Sequence, residues 1–517
     1  LWTLLWRRSR GARASSLRTF TLSGVVVAKL TEDGSTLQGA YAVARSRALA
    51  PLFYSAECPP SREAFQYQSA GVEFALQRNH AVFGDAPGVG KSAECIFLDN
   101  AIRSKRTLVI CPASLRLNWE REVWMWSMKE NVEASVVHKA NDGIDPDRDF
   151  VITSYDMLRN ASVFEAICDI MWDHVILDEA HYLKDPKGNR RTQAVCAPDG
   201  LAGSAGRFTL ATGTLLPNQP SECYNTIRLL DWEAINKASL EDFMSFYYDY
   251  GSGIITVPKV VGGVRRMVRQ HSNMVRNVPM RMDDLQYRLR SKIMVRRLKE
   301  DVLPQLPPKQ WHVFPLQQTA GIKRVLKSDA WQNTEKLYLM DSSAFDSEIP
   351  IDGAVSTARR ELGEAKAPLI VEYIEELLNE GVEKLVVGAW HHTVMDYMIE
   401  ALERFGIVFM SGATSPTKKQ WAVDQFQTNP EVRIILGQMI PLGEGWTLTA
   451  AQDVILAEPY WVPGKNDQLF DRVHRIGQEA KSVICHVPVV PDSLDEKILA
   501  NVIEKDQNIY LALDHQD

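Results

Sequence analysis

The hydrophobic positions of this chain fall into short continuous runs that alternate with longer amphipathic segments. The apolar runs lie at 81–83, 107–111, 150–153, 174–178 and 208–211, and again at 384–388, 407–410, 432–436, 454–457 and 482–487. Runs without an exposed face are typical of strands in a parallel sheet that helices cover on both sides. Segments between them, such as 367–379 and 393–405, have helical periodicity. The pattern therefore predicts two successive α/β units, each built on a parallel sheet.

Prolines and changes of composition divide the chain into three parts. The pair Pro59-Pro60 ends a first segment, residues 1–60, which we expect to be a basic arm or a small accessory unit. A first α/β lobe is predicted for 61–310, with a helical, charged insertion outside the sheet at about 231–302. Pro307-Pro308 marks the next boundary. A second α/β lobe is predicted for 311–517, with a linker or insertion at about 311–360.

The first 31 residues contain six basic side chains and no acidic one. One interpretation is an Arg- and Ser-rich leader, either a transit segment or an added one. The other is a basic arm that lies along nucleic-acid phosphates. The residues alone do not separate the two.

Composition excludes several classes of protein. The chain has 517 residues, 45% of them hydrophobic and 24% charged, which is typical of a globular protein. Its formal net charge of −7 argues against a wholly basic nucleic-acid binder, so any DNA contact must use a local basic groove. The seven cysteines form no C-x-x-C pair, which favours reduced thiols in an intracellular compartment. No apolar run approaches the length that a membrane-spanning helix needs.

The segment from Ala81 to Ser92 has the strand, loop and helix context that a phosphate-binding loop requires. Gly88 and Gly90 would let backbone N–H groups converge on an anion at the start of a helix. Lys91 is expected to reach the β/γ-phosphates, and the Ser92 hydroxyl to bind Mg²⁺. The alternative is a glycine-rich turn with a surface lysine.

An acidic string, Asp178-Glu-Ala-His181, follows the apolar run at 174–178. At the carboxyl end of a strand, Asp178 can bind the Mg²⁺ that Ser92 also contacts, and Glu179 can orient or activate a water molecule. His181 is a candidate relay to the loop at 212–214. The alternative is an ordinary pair of acids at the start of a helix.

Two residues outside these motifs complete the candidate nucleotide site. Gln68 precedes the phosphate loop and can recognise adenine edges through its amide, although a solvated glutamine at a helix start is the commoner case. Arg472 and Arg475 have the i, i+3 spacing of one helical face, with Phe470, Val473 and Ile476 directed to a core. Such arginines can neutralise charge that develops on a γ-phosphate. The alternatives are a solvated arginine face or a clamp on backbone phosphates.

The order of these motifs resembles that of the superfamily-2 helicases. The strings 471–478 (DRVHRIGQ), 294–302 (MVRRLKEDV) and 306–309 (LPPK) resemble signatures of the SNF2 (Swi2/Snf2) ATPases. Finer features at 71–76, 305–309, 389–392 and 461–464 are similar to the annealing-helicase, HARP-like, subgroup. The resemblance covers residues 61–505. The chain differs from the family at 85–88, where it has Asp-Ala-Pro-Gly, and at 410–413.

The resemblance implies two RecA-like lobes that bind ATP and Mg²⁺ between them and translocate along double-stranded or forked DNA. By motif match, Lys91, Asp178, Glu179, Arg472 and Arg475 would be catalytic, and Ser92 and Asp178 would bind the metal. Nucleotide binding would involve Gln68, Gly88, Gly90, Lys91, Ser92, Gly445 and Gln478. DNA contacts would come from Ser114, Ser154, Tyr155, Lys184, Thr214, His391, His392, Trp446 and Thr447.

Three other functions remain open at this stage. The chain could be an RNA-dependent DEAH-type helicase of the same superfamily. It could be a DNA-binding scaffold whose phosphate loop no longer responds to nucleotide because of Pro87. It could also be the motor subunit of a larger restriction or remodelling assembly, in which case a partner chain would supply the remaining activities.

Overall fold

The structure is a computed structural model of the whole chain. It describes residues 18–22, 25–30, 35–185, 187–213, 215–216, 220–249, 253–261, 264–272, 278–340, 353–443, 445–460, 462–499, 502–503 and 513–514.

The N-terminal segment forms a hairpin and a helix. Strand β1 (Arg18–Leu22) pairs antiparallel with β2 (Val25–Leu30), and helix α1 (Ser35–Ser46) follows. Arg45 on α1 forms an ion pair of 2.7 Å with Glu73, and the carbonyl of Ser46 accepts a hydrogen bond of 3.0 Å from the N–H of Arg296. Helix α1 is therefore attached to the first lobe. The basic residues before Arg18 lie outside the described residues, so the choice between leader and arm stays a prediction.

The first lobe is built on a seven-stranded sheet. Its strands and helices are α2 (Gln66–Leu76), β3 (Ala81–Phe83), α3 (Lys91–Ile102), β4 (Thr107–Cys111), α4 (Arg116–Trp126), β5 (Ala134–Val136), β6 (Phe150–Ser154), α5 (Ala161–Cys168), β7 (His174–Asp178), α6 (Arg190–Cys196), β8 (Phe208–Ala211) and α7 (Tyr224–Leu230). The strand order is β13-β3-β8-β7-β4-β6-β5, with all pairs parallel. The central strands are buried on both faces, as the continuous apolar runs predict.

The segment after this sheet differs from the expected helical insertion. It contains α8 (Trp232–Ile235), α9 (Leu240–Tyr247), β9 (Tyr248–Asp249), β10 (Gly253–Val261), β11 (Val264–Ser272), β12 (Val278–Pro279), α10 (Met282–Lys292), β13 (Met294–Val295) and α11 (Lys299–Val302). Strands β10 and β11 form an antiparallel hairpin, and β10 is rich in the β-branched residues that favour strands. Strand β13 pairs in parallel with β3. The helical insertion was expected to have a Gly/Val-rich interruption at 251–264 and to lie outside the sheet; the hairpin lies at that interruption, and the second expectation is corrected, because β13 joins the sheet.

The second lobe is built on a six-stranded sheet. Its elements are β14 (Lys309–Pro315), α12 (Ala320–Val325), α13 (Asp329–Met340), α14 (Gly353–Asn379), β15 (Leu385–Ala389), α15 (His392–Leu402), β16 (Ile407–Met410), α16 (Pro416–Thr428), β17 (Ile434–Gln438), α17 (Met439–Gly443), β18 (Asp453–Leu456), α18 (Pro463–Val473) and β19 (Val483–Val489). The order is β14-β19-β18-β15-β17-β16, again with all pairs parallel. Two parallel-sheet α/β lobes are thus confirmed.

The end of the chain returns to the first lobe. Leu513 is fully buried in the first lobe's core, and its carbonyl accepts hydrogen bonds from Arg290. Asp514 forms an ion pair of 2.7 Å with Arg296. The expected second lobe at 311–517 is therefore corrected at residues 513–514, which pack on lobe 1. In the described part of the chain, no helix is long and apolar enough to cross a membrane.

Candidate nucleotide-binding site

The loop between β3 and α3 has the backbone that its glycines permit. Gly88 and Gly90 have φ of +84° and +86°, in the left-handed region where a side chain is strained. Gly90 precedes the first turn of α3, so the free N–H groups of that turn face the loop. The loop therefore has the form of a cradle for an anion at a helix N-terminus.

Lys91 crosses the loop that it follows. Its ammonium donates hydrogen bonds to the carbonyls of Asp85 at 2.9 Å and Ala86 at 3.1 Å. Burial lowers the pKa of Lys91, although the carboxylates of Glu179, Asp85 and Asp178 act in the opposite direction. An ammonium held among carbonyls and carboxylates is positioned to bind an oxyanion that enters the loop.

Asp178 and Glu179 end strand β7 at the same cavity. Asp178 accepts hydrogen bonds from the indole N–H of Trp119 at 2.6 Å and from the N–H of Glu179 at 2.9 Å. Burial and the neighbouring Glu179 carboxylate raise the pKa of Asp178 to about 7. Burial also acts to raise the pKa of Glu179, but the hydrogen bond and charge of His181, with Lys91 and Arg472, lower it to about 2. Glu179 is therefore the carboxylate that stays ionised.

His181 connects the acidic pair to two other segments. Its Nδ1 lies 3.2 Å from Glu179 Oε2 and 3.4 Å from the hydroxyl of Thr212. Its Nε2 lies 3.5 Å from the ammonium of Lys465 on the second lobe. The predicted relay from His181 toward the loop at 212–214 therefore has a contact to support it.

The two arginines reach the cavity from different local structures. Helix α18 ends at Val473, so Arg472 lies on its last turn and Arg475 in the loop beyond it. The expectation that both share one helical face is corrected. Arg475 donates a hydrogen bond of 2.9 Å to the carbonyl of Trp446. Its side chain also lies close to Gly88 of the phosphate loop, since a Cβ added to Gly88 would be 3.2 Å from Arg475 Cγ. Ile476, expected to face a core, is exposed because it also follows the helix end.

One cavity between the lobes collects the main candidate residues. It is lined by Pro87, Gly88, Gly90, Lys91, Ser92, Leu115, Asn118, Glu122, Asp178, Glu179, Gly213, Gly445, Gln468, Arg472 and Arg475. Sequence analysis missed Asn118 and Glu122. Both lie on α4 directly after a buried strand, and their i, i+4 spacing is the signal that could have identified them.

Gln68 and Gln478 have local partners. Gln68 accepts a hydrogen bond from the N–H of Phe65 at 3.0 Å, which caps α2, and donates to the carbonyl of Val89 in the phosphate loop at 3.3 Å. Gln478 donates to the carbonyls of Ala451, Val473 and Thr449 and lies outside the cavity. The Gln478 amide therefore holds the loop after α18, and its role in nucleotide binding stays a prediction that this geometry does not favour.

Arg297 supports the phosphate loop from below and was not among the candidates. Its guanidinium contacts both carboxylate oxygens of Asp85, the carboxylate of Glu94 and the carbonyl of Tyr67. Asp85 and Arg297 are both almost completely buried. In the phosphate-loop motif G-x-x-x-x-G-K-[ST], Asp85 occupies the position of the first glycine. Asp85 is therefore a buried anchor for the loop.

Three expected DNA contacts are buried side chains. Tyr155 donates to the backbone carbonyl of Asp178 at 2.8 Å and stacks on Tyr182. Ser154 is 2% exposed, and Trp446 donates its indole N–H to the carbonyl of Pro441. Their contact with DNA stays a prediction that this geometry does not favour, since Tyr155 and Trp446 use their polar atoms inside the lobes and Ser154 is buried.

The remaining expected DNA contacts are more accessible. Ser114 and Lys184 are half-buried, and Thr447 and His392 are exposed. His391 immediately precedes α15 and is held by Glu458, with 2.6 Å between His391 Nδ1 and Glu458 Oε1. Thr214 lies outside the described residues. The structure therefore leaves a DNA role open for the accessible residues without assigning one.

Comparison with known families gives two matches that follow one another along the chain. The model described as "SNF2-related domain" matches residues 67–360, and the model described as "Helicase conserved C-terminal domain" matches residues 368–477. With this match, the string Asp178–His181 belongs to the corresponding motif of the SNF2-related domain, so the description as a DEAH box, and with it the alternative of a DEAH-type helicase, is not supported.

Individual proteins show the same similarity. The chain is 28% identical over 453 residues to the DNA annealing helicase and endonuclease ZRANB3 of Mus musculus, covering 85% of this chain and 40% of that protein. It is 29% identical over 454 residues to the SWI/SNF-related matrix-associated actin-dependent regulator of chromatin subfamily A-like protein 1 of Xenopus tropicalis, covering 85% and 44%. The chain thus spans about two fifths of these relatives.

A solved structure is also similar over most of its length. The Sulfolobus solfataricus SWI2/SNF2 ATPase core in complex with dsDNA is 21% identical, with 91% of this chain and 99% of that chain covered and a TM-score of 0.39.

Proposed function

Because this chain belongs to the SNF2-related family, we propose that it is an ATP-dependent translocase on double-stranded DNA. Of the two relatives, ZRANB3 is named a DNA annealing helicase, which supports the expected annealing-helicase subgroup, and the other is named a regulator of chromatin. They also support a place of action at the genome, in a nucleus or nucleoid. Forked DNA is the specific substrate that an annealing helicase would favour, and we include it in the proposal.

The observation that carries the proposal is the composition of the cavity between the lobes. The first lobe contributes an ammonium (Lys91), a hydroxyl (Ser92) and two carboxylates (Asp178 and Glu179), and the second lobe contributes the guanidinium groups of Arg472 and Arg475. This is the set of groups that phosphoryl transfer from a nucleoside triphosphate requires. It is divided between two bodies, so a change in their separation changes the site.

ATP and Mg²⁺ fit the groups that are present. Lys91 and the loop glycines suit phosphate oxygens, while Ser92 and Asp178 are oxygen donors of the kind that Mg²⁺ prefers. When bound, the cation would neutralise charge on the phosphates. Asn118 and Glu122, which line the same cavity, are further candidates for contact with the nucleotide.

Glu179 and the arginines have separate roles in the proposed reaction. Glu179 stays ionised beside His181 and can orient or activate the attacking water. Arg472 and Arg475 can stabilise the charge that develops on the transferred phosphoryl group. Because the arginines belong to the other lobe, the site is complete only when the lobes are closed.

Translocation follows from the same division between lobes. If each lobe binds DNA backbone phosphates, opening and closing the cleft moves one grip relative to the other. Phosphate contacts carry no sequence information, so we expect weak sequence preference and an affinity that falls steeply with salt. Accessible residues such as Lys184 and His392 are candidates for these contacts.

The test is a comparison of ATPase rates with duplex DNA, forked DNA, single-stranded DNA and RNA at one salt concentration. We expect duplex or forked DNA to stimulate turnover most, and Lys91→Ala to remove that stimulation while DNA binding persists. Stimulation by RNA alone would contradict a DNA translocase. ATP turnover that ignores every polymer would contradict it as well.

A further inference from the structure

Two lysines lie at the ends of the segment that joins the lobes. Lys299 begins α11, with three residues between it and the end of β13, and Lys309 begins β14. Both are in the strings that resemble SNF2 signatures, yet neither lines the cavity that contains the proposed reaction. Their role is therefore not explained by nucleotide binding.

Both lysines contact the same carboxylate on α18. The ammonium of Lys299 donates to Asp471 Oδ1 at 2.7 Å and to the carbonyl of His474 at 2.8 Å. The ammonium of Lys309 lies 3.3 Å from the same Oδ1 and 3.3 Å from Asp467. Asp471 immediately precedes Arg472, so these contacts hold the turn from which both arginines project.

The two contacts differ in what they connect. Leu303, at the end of α11, packs with Tyr67, Ala86 and Val89 beside the phosphate loop, so Lys299 belongs to the first lobe. Lys309 and Asp471 both belong to the second lobe. The Lys299–Asp471 ion pair therefore crosses from lobe to lobe, whereas the Lys309 contacts lie within lobe 2.

The crossing pair is close to the phosphate loop and shielded from water. A Cβ on Gly88 would lie 3.5 Å from the ammonium of Lys299. Asp471 is 5% and Lys299 9% exposed. Burial lowers the pKa of Lys299 to about 8. Burial acts to raise the pKa of Asp471, but the two lysines outweigh it and hold that pKa well below its usual range. Screening is weak in such a site, so the pair is sensitive to a small separation of the lobes.

We propose that Lys299 is a positioning residue that holds the Asp471–Arg475 turn against the phosphate loop, and so sets the closed arrangement of the lobes. The proposal deepens the proposed function and rests on it for its catalytic meaning. The effect of the ion pair on the distance between the lobes can be measured whether or not the chain hydrolyses ATP. Lys309 keeps Asp471 paired when the lobes open, because its contacts do not depend on closure.

The direct test is the distance between the lobes, measured by pulsed EPR in the nucleotide-free, full-length chain. Spin labels are introduced as non-natural amino acids at Glu130 of lobe 1 and Glu431 of lobe 2, both of which are exposed. Lys299→Met removes the charge but keeps the length of the side chain. We expect the ratio of closed to open molecules to fall about tenfold or more, since the variant loses a hydrogen bond between charged groups that exists only when the lobes are closed. Lys299→Arg should restore it.

Two control variants separate this role from general damage. Lys292→Met removes a lysine whose ion pair with Glu233 lies within lobe 1, and should leave the distance distribution unchanged. Lys309→Met should also leave it unchanged. An unaltered distribution in Lys299→Met would overturn the proposal, and so would an equal shift in Lys309→Met, which would assign the effect to the fold of lobe 2.

Turnover gives a second, independent reading. In a chain that hydrolyses ATP, Lys299→Met should lower kcat about tenfold or more while KM for ATP changes less than about twofold, because Lys299 does not line the nucleotide cavity. A rise in KM alone would contradict a positioning role. If the parent chain shows no ATPase, the proposed function fails, and the EPR result still decides the role of Lys299.

Discussion

The indole N–H of Trp119 donates a hydrogen bond of 2.6 Å to Asp178 Oδ2, and Trp119 is completely buried. Trp119 lies on α4 and Asp178 at the end of β7, so the bond joins two elements that contribute to the nucleotide cavity. It fixes one oxygen of the carboxylate that we propose to bind the metal. Partners that orient a metal ligand in this way commonly affect affinity 10- to about 100-fold.

The first prediction concerns that bond. Trp119→Phe keeps an aromatic ring in the core but removes the donor, so Asp178 loses its orientation. We expect the Mg²⁺ concentration for half-maximal ATPase to rise about tenfold, measured by titration at saturating ATP and duplex DNA. Trp172→Phe is the matched control, because this indole is also buried in the first lobe but donates to the carbonyl of Ile167, away from the cavity. Equal Mg²⁺ requirements for both variants would contradict the assignment.

The second prediction concerns Glu179. Glu179→Gln keeps the shape of the side chain but removes the charge that can activate water. We expect DNA-stimulated turnover to fall about 10²–10⁴-fold, the usual contribution of a general base. Binding of ATP and of duplex DNA should persist, as measured by fluorescence anisotropy with labelled ligands. Normal turnover in this variant would remove Glu179 from the proposed mechanism.

The third prediction concerns the arginines of the second lobe. Arg472→Ala and Arg475→Ala should each reduce kcat, by up to about 10³–10⁵-fold if each acts as an arginine finger. Nucleotide affinity should change little, because lobe 1 supplies the phosphate loop. Arg404→Ala is the control, since Arg404 is exposed on the same lobe and pairs with Glu375. Unchanged kcat in both test variants would leave them as structural residues.

The fourth prediction concerns the anchor beneath the phosphate loop. Arg297→Met leaves Asp85 and Glu94 buried without their partner, so we expect the free energy of unfolding to fall by about 3–5 kcal/mol. Denaturant unfolding followed by tryptophan fluorescence measures the change. Arg148→Met removes solvent-exposed ion pairs with Glu133 and Asp145 and should lower the free energy of unfolding far less. A similar cost for both variants would show that the buried cluster does not stabilise the lobe.

The positions of the strands and motifs along the chain could be predicted from the sequence, because each strand and each motif is a local pattern of residues. The runs 107–111, 174–178 and 208–211 coincide with observed strands, since strands buried on both faces need continuous apolar residues. The run 407–410 coincides with the edge strand β16, which is buried on one face. The loop at 84–90 could also be predicted, because the positions of its glycines are a local property of the sequence. The family was predicted from strings of this kind, and the match over residues 67–360 confirms it.

Only the tertiary structure decided which side chains share a site and which are structural. Nothing local distinguishes Tyr155, which is buried on the carbonyl of Asp178, from an accessible residue at the end of a strand. The amide of Gln478 is a group that often contacts ligands, but here it lies within hydrogen-bond distance of three backbone carbonyls. Likewise, Lys299 and Asp471 are 172 residues apart, and their ion pair exists only because two separately folded lobes meet. Periodicity and motifs are determined by neighbours along the chain, whereas burial, pairing and charge compensation depend on neighbours in space.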